Sequence, residues 1–209
     1  MAELIENNKV DLLGEFTGDI QFSHKVMGES FYVADLKVQR TSGVFDCIPI
    51  MISDRLFDVN GEITGYMVRV KGQFRSFNKR ADGEKTKLVL SVFAREIEPA
   101  DIGDFNINKI ELEGYICKEV KYRETPLGRE IADFSLAVNR PYGKSDYIPC
   151  ICWGRNAHFA TTLNVGDKLR ILGRIQSRIY EKRFDNGSSE ERIAYEVSAS
   201  AMEVLHDEK

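Results

Sequence analysis

The sequence predicts an all-β protein that contains two copies of one small domain. Three observations predict this class: a repeat at a spacing of about one hundred residues, short segments in which apolar and polar residues alternate, and turns rich in glycine and charge between them. The 209 residues suffice for two domains of ordinary size. A hydrophobic fraction of 43% beside 30% charged residues is typical of a soluble globular protein.

The repeat is visible in the residues themselves. The segments 8–14, 36–40 and 46–49 return as 108–114, 136–140 and 146–149, and 68–74 returns one residue out of phase as 169–175. Because this register holds over most of the chain, we predict one domain at residues 1–104 and a second at 105–209. The joint is expected at 98–104, where proline, glycine and aspartate are typical of a linker.

Each copy is predicted to contain five strands. In the first copy these are 10–17, 30–40, 46–53, 67–76 and 87–97, and in the second copy 109–120, 130–140, 146–153, 168–180 and 192–204. Residues 156–163 have the length and composition of a short helix, and we expect such a helix between strands three and four of each copy. Five strands with a helix after the third are the pattern of an OB-fold barrel, with another small barrel or a sandwich as the alternative.

Charge and composition limit the function. The net charge of −4 argues against a binder of duplex DNA with a basic coat, but residues 105–209 carry 16 basic and 16 acidic residues, against 13 and 17 in residues 1–104. The second copy is therefore the better candidate for binding a polyanion. No apolar run approaches 18 residues, and the N-terminus lacks the pattern of a signal peptide, so we expect no membrane span and a cytoplasmic location.

Neither a cofactor nor catalysis is expected. The four cysteines lie in apolar, strand-like runs, which is typical of buried free thiols in a reducing compartment. Cys150 and Cys152 share a strand side that can face a metal, but no second close pair accompanies them. No histidine lies near a nucleophile in a recognisable motif, and no phosphate-binding glycine loop is present, so we predict that the chain is not an enzyme.

The third strand of the second copy predicts a stacking surface. Alternation sets Tyr147 and Trp153 on one side, with Ile148, Cys150 and Cys152 on the other. Aromatic rings on a half-exposed strand face are a platform for nucleic-acid bases. The alternative is that both sides are buried and that Trp153 belongs to the core.

Basic and aromatic residues interleave in a second stretch, which the pattern predicts to be a hairpin. The candidate residues there are Arg178, Tyr180, Lys182, Arg183 and Phe184. This interleaving allows stacking and phosphate pairing along one strand, although Tyr180 and Phe184 packing on each other is the alternative. A second wall of the same groove is predicted at Lys121 and Arg123, unless these are a solvated turn.

The first copy has a comparable but weaker pattern. Its candidate residues are Arg75, Phe77, Lys79 and Arg80. Its third strand, however, carries Cys47 and Ser53 where the second copy has Tyr147 and Trp153. We therefore expect the first copy to bind nucleic acid more weakly or to serve mainly in assembly.

Residues 107–205 resemble the bacterial single-stranded DNA-binding protein family. The resemblance is carried by Asn108-Lys109-Ile110, Thr125-Pro126-Leu127-Gly128, Phe134-Ser135-Leu136, Trp153-Gly154-Arg155-Asn156-Ala157 and Tyr195-Glu196-Val197, together with 166–167 and 173–178. It implies an OB-fold that wraps single strands by stacking aromatics on bases and pairing Lys and Arg with phosphates. By position it assigns stacking to Tyr147, Trp153, Tyr180 and, more loosely, Tyr142. It assigns a phosphate contact to Arg155, places Arg178 at the start of the hairpin after strand four, and includes Arg174 in a matching segment as a further candidate for binding nucleic acid.

The same resemblance implies a homodimer that presents four OB-folds, acting with replication, recombination or repair proteins at the nucleoid. The family's flexible tail with an acidic tip has no counterpart after residue 205, so recruitment of partners by such a tail is not expected. A specialised paralogue of a mobile element or a primosome fits that departure. Two alternatives stay open: a protein-interaction scaffold with little DNA binding, and an OB-fold that binds structured RNA.

Overall fold

The computed structural model describes residues 6–58, 63–79, 87–101, 107–184 and 187–206, and most of these residues lie in strands. The prediction of an all-β protein is confirmed. The elements are β1 (Asn8–Val26), β2 (Glu29–Gln39), β3 (Phe45–Ser53), β4 (Met67–Lys79), β5 (Lys87–Pro99), β6 (Asn108–Ile116), β7 (Lys121–Glu124), β8 (Glu130–Arg140), β9 (Lys144–Trp153), α1 (Arg155–Ala160), β10 (Lys168–Arg183) and β11 (Ser189–Val204). Within the described ranges, no helix has the length and apolarity needed to cross a membrane.

The strands of the first half, β1 to β5, pair in a closed ring. The order around the ring is β1, β2, β3, β5, β4 and back to β1. All pairs are antiparallel except β3 with β5, where Ile50 faces Val92. Alternate residues such as Leu36, Ile48 and Phe74 fill the interior and are fully buried. A closed five-stranded barrel of this kind is consistent with the predicted OB-fold.

The strands of the second half, β6 to β11, follow the same order. The ring runs β6, β8, β9, β11, β10 and back to β6, and β7 extends the edge of β8. Helix α1 follows β9 and buries Ala157 and Ala160 against the core. It ends three residues earlier than the predicted helix. In the first half, the described residues at the same place, 54–58 and 63–66, contain turns and no helix.

A β-bulge recurs at an equivalent glycine in the repeated segments 68–74 and 169–175. The ladder between β4 and β5 shifts register between Lys71 and Gly72, and that between β10 and β11 shifts between Leu172 and Gly173. A Cβ on either glycine would collide with a backbone carbonyl of the neighbouring strand, that of Phe93 in one half and Ser198 in the other. Only glycine allows the close approach that these two bulges require.

Strand boundaries differ most in the first hairpin of each half. β1 continues to Val26, nine residues past the predicted end at Thr17, and forms a long exposed hairpin with β2. The predicted strand 109–120 instead ends at Ile116, and a separate short β7 follows. Beyond Thr17 the chain pairs with β2 again from Gln21, after a register shift.

The two halves meet where β1 and β6 pair antiparallel, with Val10 opposite Ile110. Val10 and Ile110 hold the same position in the repeat, and the other pairs of this ladder are arranged symmetrically about them. The repeated asparagines stitch each half internally beside this seam: the Asn8 amide donates to the Phe74 carbonyl and accepts from its N–H, at 2.7 and 2.8 Å. Asn108 makes the same two bonds with Ile175, at 2.8 and 2.9 Å.

A second pair of repeated contacts crosses from one half to the other. The carboxylate of Asp46 accepts from the Arg40 guanidinium at 2.7 and 2.5 Å and from the N–H of Ser177 at 2.7 Å. In the mirrored arrangement, the carboxylate of Asp146 accepts from Arg140 and from the N–H of Ser76. Both aspartates are buried. Each half therefore uses an Arg–Asp pair with a buried carboxylate to hold the fourth strand of the other half.

Candidate nucleic-acid interface

The predicted stacking strand, β9, carries two exposed aromatic side chains. Tyr147 is 50% exposed and Trp153 is 40% exposed, whereas Ile148, Cys150 and Cys152 face the core. The alternative that Trp153 is a core residue is therefore wrong. Ile151, which lies between the two rings on the same side, is only 4% exposed. The outer side of β9 therefore offers two separate ring positions, about 20 Å apart at the rise of an extended strand. We call it the second-half face.

A polar and aromatic cluster that the sequence did not reveal lies near the end of β9. The hydroxyl of Tyr122 donates to Glu130 at 3.0 Å, and Nε2 of His158 lies 2.7 Å from the same carboxylate. The rings of Tyr122 and His158 are 5.6 Å apart. Glu130 is adjacent to Trp153 because its carbonyl accepts from the N–H of Gly154. The sequence gave no signal for His158, because its contact with Tyr122 forms only when the fold brings α1 beside β7.

The predicted hairpin between β10 and β11 places cations against aromatic rings. The Arg178 guanidinium lies 5.9 Å from the centre of the Tyr180 ring, and the Lys182 ammonium lies 4.9 Å from that of Phe184. A further cation, Arg192, also lies against Phe184 at 5.7 Å. The basic and aromatic residues that alternate in the sequence therefore lie against one another in the structure. Each such pair offers a ring for stacking beside a positive charge.

Carboxylates neutralise several of the predicted cations. Arg123 pairs with Asp133 at 2.7 Å, and Arg183 pairs with Glu181 at 3.2 Å. Arg178 lies 3.9 Å from the largely buried Glu196. The hydrogen bond to Asp133 raises the pKa of Arg123, which means that the pair favours its charged form. Phosphates must therefore compete with protein carboxylates for these side chains.

The remaining predicted residues of the second half differ in their surroundings. Arg155 is exposed at the start of α1, and Lys121 is exposed on β7. Tyr142 is almost fully exposed in a tight turn, where its φ of 66° is unusual for a tyrosine. Arg174 is half-buried at the junction of the halves. Burial, then the nearby Arg40, lowers its pKa, and its buried Nε has no hydrogen-bond partner within the described residues.

Of the weaker candidates in the first half, Phe77 and Lys79 are exposed near the end of β4, and Arg80 lies outside the described residues. Arg75 is half-buried. Burial, then the neighbouring Arg140 and Arg95, lowers its pKa to about 10. Ser76 lies between Arg75 and Phe77, and its hydroxyl accepts from the N–H of Tyr147 at 2.8 Å. Strand β4 of the first half therefore lies directly against strand β9 of the second half.

The first half also carries aromatic rings that the sequence analysis did not select. Phe31, Phe45 and Phe93 lie on the outer side of β2, β3 and β5, which we call the first-half face, and His24 lies beside them on β1. The rings of Phe31 and Phe93 are 5.8 Å apart, and His24 stacks on Phe31 at 5.0 Å. The Lys37 ammonium lies 4.3 Å from the centre of the Phe45 ring. Pairing across strands, which the sequence pattern alone does not give, brings these residues together.

The prediction that the four cysteines are buried is wrong for one of them. Cys150 and Cys152 are buried and Cys117 is half-buried, but Cys47 is exposed on the outer side of β3. Burial is the main cause that raises the pKa of each of the four thiols. Within the described ranges, no group of three or more His, Cys, Asp and Glu side chains is arranged to hold a metal ion.

A closed five-stranded barrel with aromatic side chains on its outer surface defines an all-β protein of the OB-fold type. A family model described as the single-strand binding protein family matches residues 107–205. Single-stranded DNA-binding protein 1 of Streptococcus pyogenes is 33% identical over 106 residues, which are 47% of this chain and 78% of that protein. The chain belongs to the single-strand binding protein family.

Other relatives are longer than the part that is matched. The single-stranded DNA-binding proteins of Halalkalibacterium halodurans and Bacillus subtilis are each 33% identical over 106 residues, and the chain spans only 61% and 59% of their lengths. The crystal structure of the single-stranded DNA binding protein from Thermus aquaticus is similar with a TM-score of 0.77 at 23% identity. The matched region covers 97% of this chain and 94% of the Thermus aquaticus chain, so the shared fold extends over both halves.

Proposed function

We propose that this chain binds single-stranded DNA with little base preference, as a binding protein rather than an enzyme, in replication, recombination or repair. The observation that carries the proposal is the pair of exposed rings on β9, Tyr147 and Trp153. Stacking on such rings contributes about 1–3 kcal/mol per base and tolerates any sequence. Relatives named as single-stranded DNA-binding proteins support the same conclusion.

In this proposal, residues 1–104 and 105–209 are two tandem OB-folds, and the second carries the main site. Bases stack on aromatic rings, and phosphates meet Lys and Arg beside them. The proposed contacts of the second OB-fold are Trp153, Tyr147, Tyr180, Phe184, Tyr142, Arg155, Arg178, Lys182, Arg183, Arg174, Lys121 and Arg123. We expect Arg174 to contribute least to direct contact, because it is half-buried at the junction of the halves.

The sole tryptophan provides the test. We expect oligo-dT to quench Trp153 emission strongly, with an affinity that falls as salt rises, and an equal concentration of duplex DNA to quench it little. Tyr147→Ala should weaken binding about tenfold or more, because one stacking ring is lost. Tyr66→Ala removes an exposed ring from the first half and serves as the control. Absence of quenching, together with absence of binding by fluorescence anisotropy, would overturn the proposal.

A protein-interaction scaffold is the second candidate, and the ion pairs of the predicted cations favour it. Arg123, Arg178 and Arg183 each lie within 4 Å of a carboxylate, which weakens their attraction for phosphates. Anisotropy that detects no binding to oligo-dT would select this candidate. Competition between matched DNA and RNA oligomers would distinguish a third possibility, since preference for RNA requires a contact to the 2′-hydroxyl.

We also propose a homodimer, which would present four OB-folds. Its support is an open cleft of about 800 Å³ on the outer side of the seam, lined by residues of both halves that include Asp11, Lys109 and Leu172. Light scattering should give twice the chain mass at micromolar concentration, and a strict monomer would contradict the proposal. Leu172→Glu should dissociate the dimer, whereas Val165→Glu, at an exposed apolar position elsewhere, should not.

A further inference from the structure

A buried carboxylate, that of Glu196, lies beside the second-half face. Val197 pairs with Cys150 on β9 and lies in the core, so the preceding Glu196 points to the outer side of the barrel. The register with β9 places it between the two exposed rings, Tyr147 and Trp153. Glu196 is only 8% exposed. A negative charge therefore lies near the centre of the surface on which we propose that a polyanion binds.

Few partners stabilise this charge. The side-chain amide of Gln176, which is opposite on β10, donates to the Glu196 carboxylate at 2.7 Å, and this is the one hydrogen bond that the carboxylate accepts among the described residues. Within the same residues, the one cation within 4 Å is Arg178, whose Nε lies 3.9 Å away. A buried carboxylate needs several donors or a close cation to offset its loss of water. The charge of Glu196 therefore contributes little to the stability of the barrel.

The first half closes the same ring of strands without a carboxylate at this place. The pairing of β3 with β5 and that of β9 with β11 make Ser91 the first-half equivalent of Glu196. Ser91 is also buried, and it pairs with Arg75 as Glu196 pairs with Gln176. The first half therefore has a hydroxyl and a guanidinium where the second half has a carboxylate and an amide. The negative charge is a property of the second half and not a requirement of the fold.

Glu196 lies close to cations that the proposed function assigns to phosphates. The side chain of Arg178 is 59% exposed, and its guanidinium is 5.9 Å from the centre of the Tyr180 ring. The hydrogen bond to Asp133 and, to a smaller extent, the charge of Glu196 raise the pKa of Arg123. Because Nε is the atom of Arg178 that faces Glu196, the two terminal nitrogens stay available for a phosphate. The charges of this carboxylate and this guanidinium, however, nearly cancel.

We propose that Glu196 is a positioning residue that acts through Arg178 and limits the affinity for single-stranded DNA. It holds the guanidinium of Arg178, cancels most of its charge and repels a phosphate that approaches the centre of the second-half face. The rings and the outlying cations then hold the strand, and Arg178 supplies only part of a phosphate contact. Because differences in affinity arise mostly from the rate of dissociation, the charge of Glu196 lets the strand leave more readily. This inference rests on the proposed function.

Glu196→Gln removes the charge at nearly constant shape. The new amide can still accept the hydrogen bond from Gln176, and the exposed Arg178 is freed for phosphates. In anisotropy at low salt, we expect oligo-dT to bind about fivefold more tightly than it binds the wild type. The slope of log affinity against log salt should steepen by about 0.7, because one more phosphate contact is made. An unchanged or weaker affinity of the variant would overturn the inference.

Glu191→Gln is the matched control, because it removes the same charge from an exposed position on the other side of β11. It should leave the salt slope unchanged, and an equal steepening would show that only the total charge of the chain matters. Thermal unfolding separates a role in binding from a role in the fold. We expect Glu196→Gln to unfold at the temperature of the wild type or above it. A lower unfolding temperature with an unchanged salt slope would assign Glu196 to the fold and overturn the inference.

A double-mutant cycle tests the coupling to Arg178. Arg178→Gln should flatten the salt slope by much less than about 0.7 in the wild-type chain, but by about 0.7 in the chain that carries Glu196→Gln. Equal changes in the two chains would contradict action through Arg178 while leaving the proposed function intact. Absence of oligo-dT binding by all four chains of the cycle would instead remove the proposed function, and this inference with it.

Discussion

Met27 adopts a backbone conformation that methionine rarely tolerates. It lies with Gly28 in the two-residue turn between β1 and β2, where Val26 pairs with Glu29, and both turn residues have positive φ, 49° and 87°. A two-residue hairpin turn with positive φ at both positions favours Asn-Gly, because asparagine tolerates the left-handed region. The side chain of Met27 is 98% exposed, so no packing offsets the strain.

We therefore expect Met27→Asn to raise the free energy of unfolding by about 1 kcal/mol. Urea denaturation followed by circular dichroism measures the change. Met27→Ala removes the same side chain but keeps a Cβ at positive φ, so it should leave the stability near that of the wild type. Equal stabilisation by alanine and asparagine would show that the backbone conformation is not the cause.

Cys47 should be the cysteine that reacts first. It is exposed, whereas Cys150 and Cys152 are buried and the pKa of Cys152 is raised to about 11. Because the pKa of Cys47 is itself raised, mainly by burial, its reactive thiolate increases as pH rises and is still increasing at pH 9. Peptide mass mapping after iodoacetamide treatment should find Cys47 modified, faster at pH 9 than at pH 7, with Cys150 and Cys152 modified only after unfolding. Modification of Cys150 in the folded chain would contradict this.

At the residue scale, alternation predicted which side of a strand faces the core but not what covers the other side. It identified Tyr147 and Trp153 correctly as outward residues. Ile151 points the same way and is buried, and Cys47 points outward and is exposed. These differences arise because neighbouring strands and the other half cover some outward positions. Such coverage depends on tertiary contacts that a period of two does not contain.

The elements follow the sequence most closely in the core of each barrel. β8 begins and ends where predicted, since Phe134, Leu136 and Val138 alternate cleanly with polar residues. The β1–β2 hairpin was missed because residues 18–26 are mostly exposed and lack a buried face to impose alternation. Contacts such as Phe22 with Tyr32, whose rings are 5.7 Å apart, connect its strands instead.

The elements of the two halves are connected by the repeated Arg–Asp pairs, and these predict a large effect on stability. Asp46→Asn leaves the partly buried Arg40 without its charged partner and weakens the bond to Ser177. We expect the free energy of unfolding to fall by about 3 kcal/mol, as for other broken pairs of this kind. Thermal unfolding measures it.

The matched control is Asp133→Asn, which breaks the more exposed pair with Arg123. We expect a loss of less than about 1 kcal/mol there, because solvent screens exposed ion pairs. Equal losses for Asp46→Asn and Asp133→Asn would mean that burial does not strengthen the pair between the halves.

For the whole molecule, the repeat predicted much of the architecture because the repeated residues make the same structural contacts in each half. Asn8 and Asn108 bind the same strand position in each half, and Asp46 and Asp146 hold the opposite half. The repeat does not predict how the two halves are placed relative to each other. The pairing of β1 with β6 sets the two halves side by side and brings Ser76 to Tyr147, and no spacing in the sequence specifies that contact.

Binding by the whole chain should depend only moderately on salt. The net charge is −4, and carboxylates accompany Arg123, Arg178 and Arg183, so few cations are available to displace counterions from a single strand. For three or four phosphate contacts, the slope of log affinity against log salt is expected at about −2 to −3.

Lys182→Gln should flatten the slope by about 0.7, because one phosphate contact is lost. Lys109→Gln, on the outer side of β6, should leave it unchanged. Anisotropy titrations of oligo-dT at a series of salt concentrations measure all three slopes. A wild-type slope steeper than about −5 would require that the paired arginines leave their carboxylates for phosphates when the strand binds.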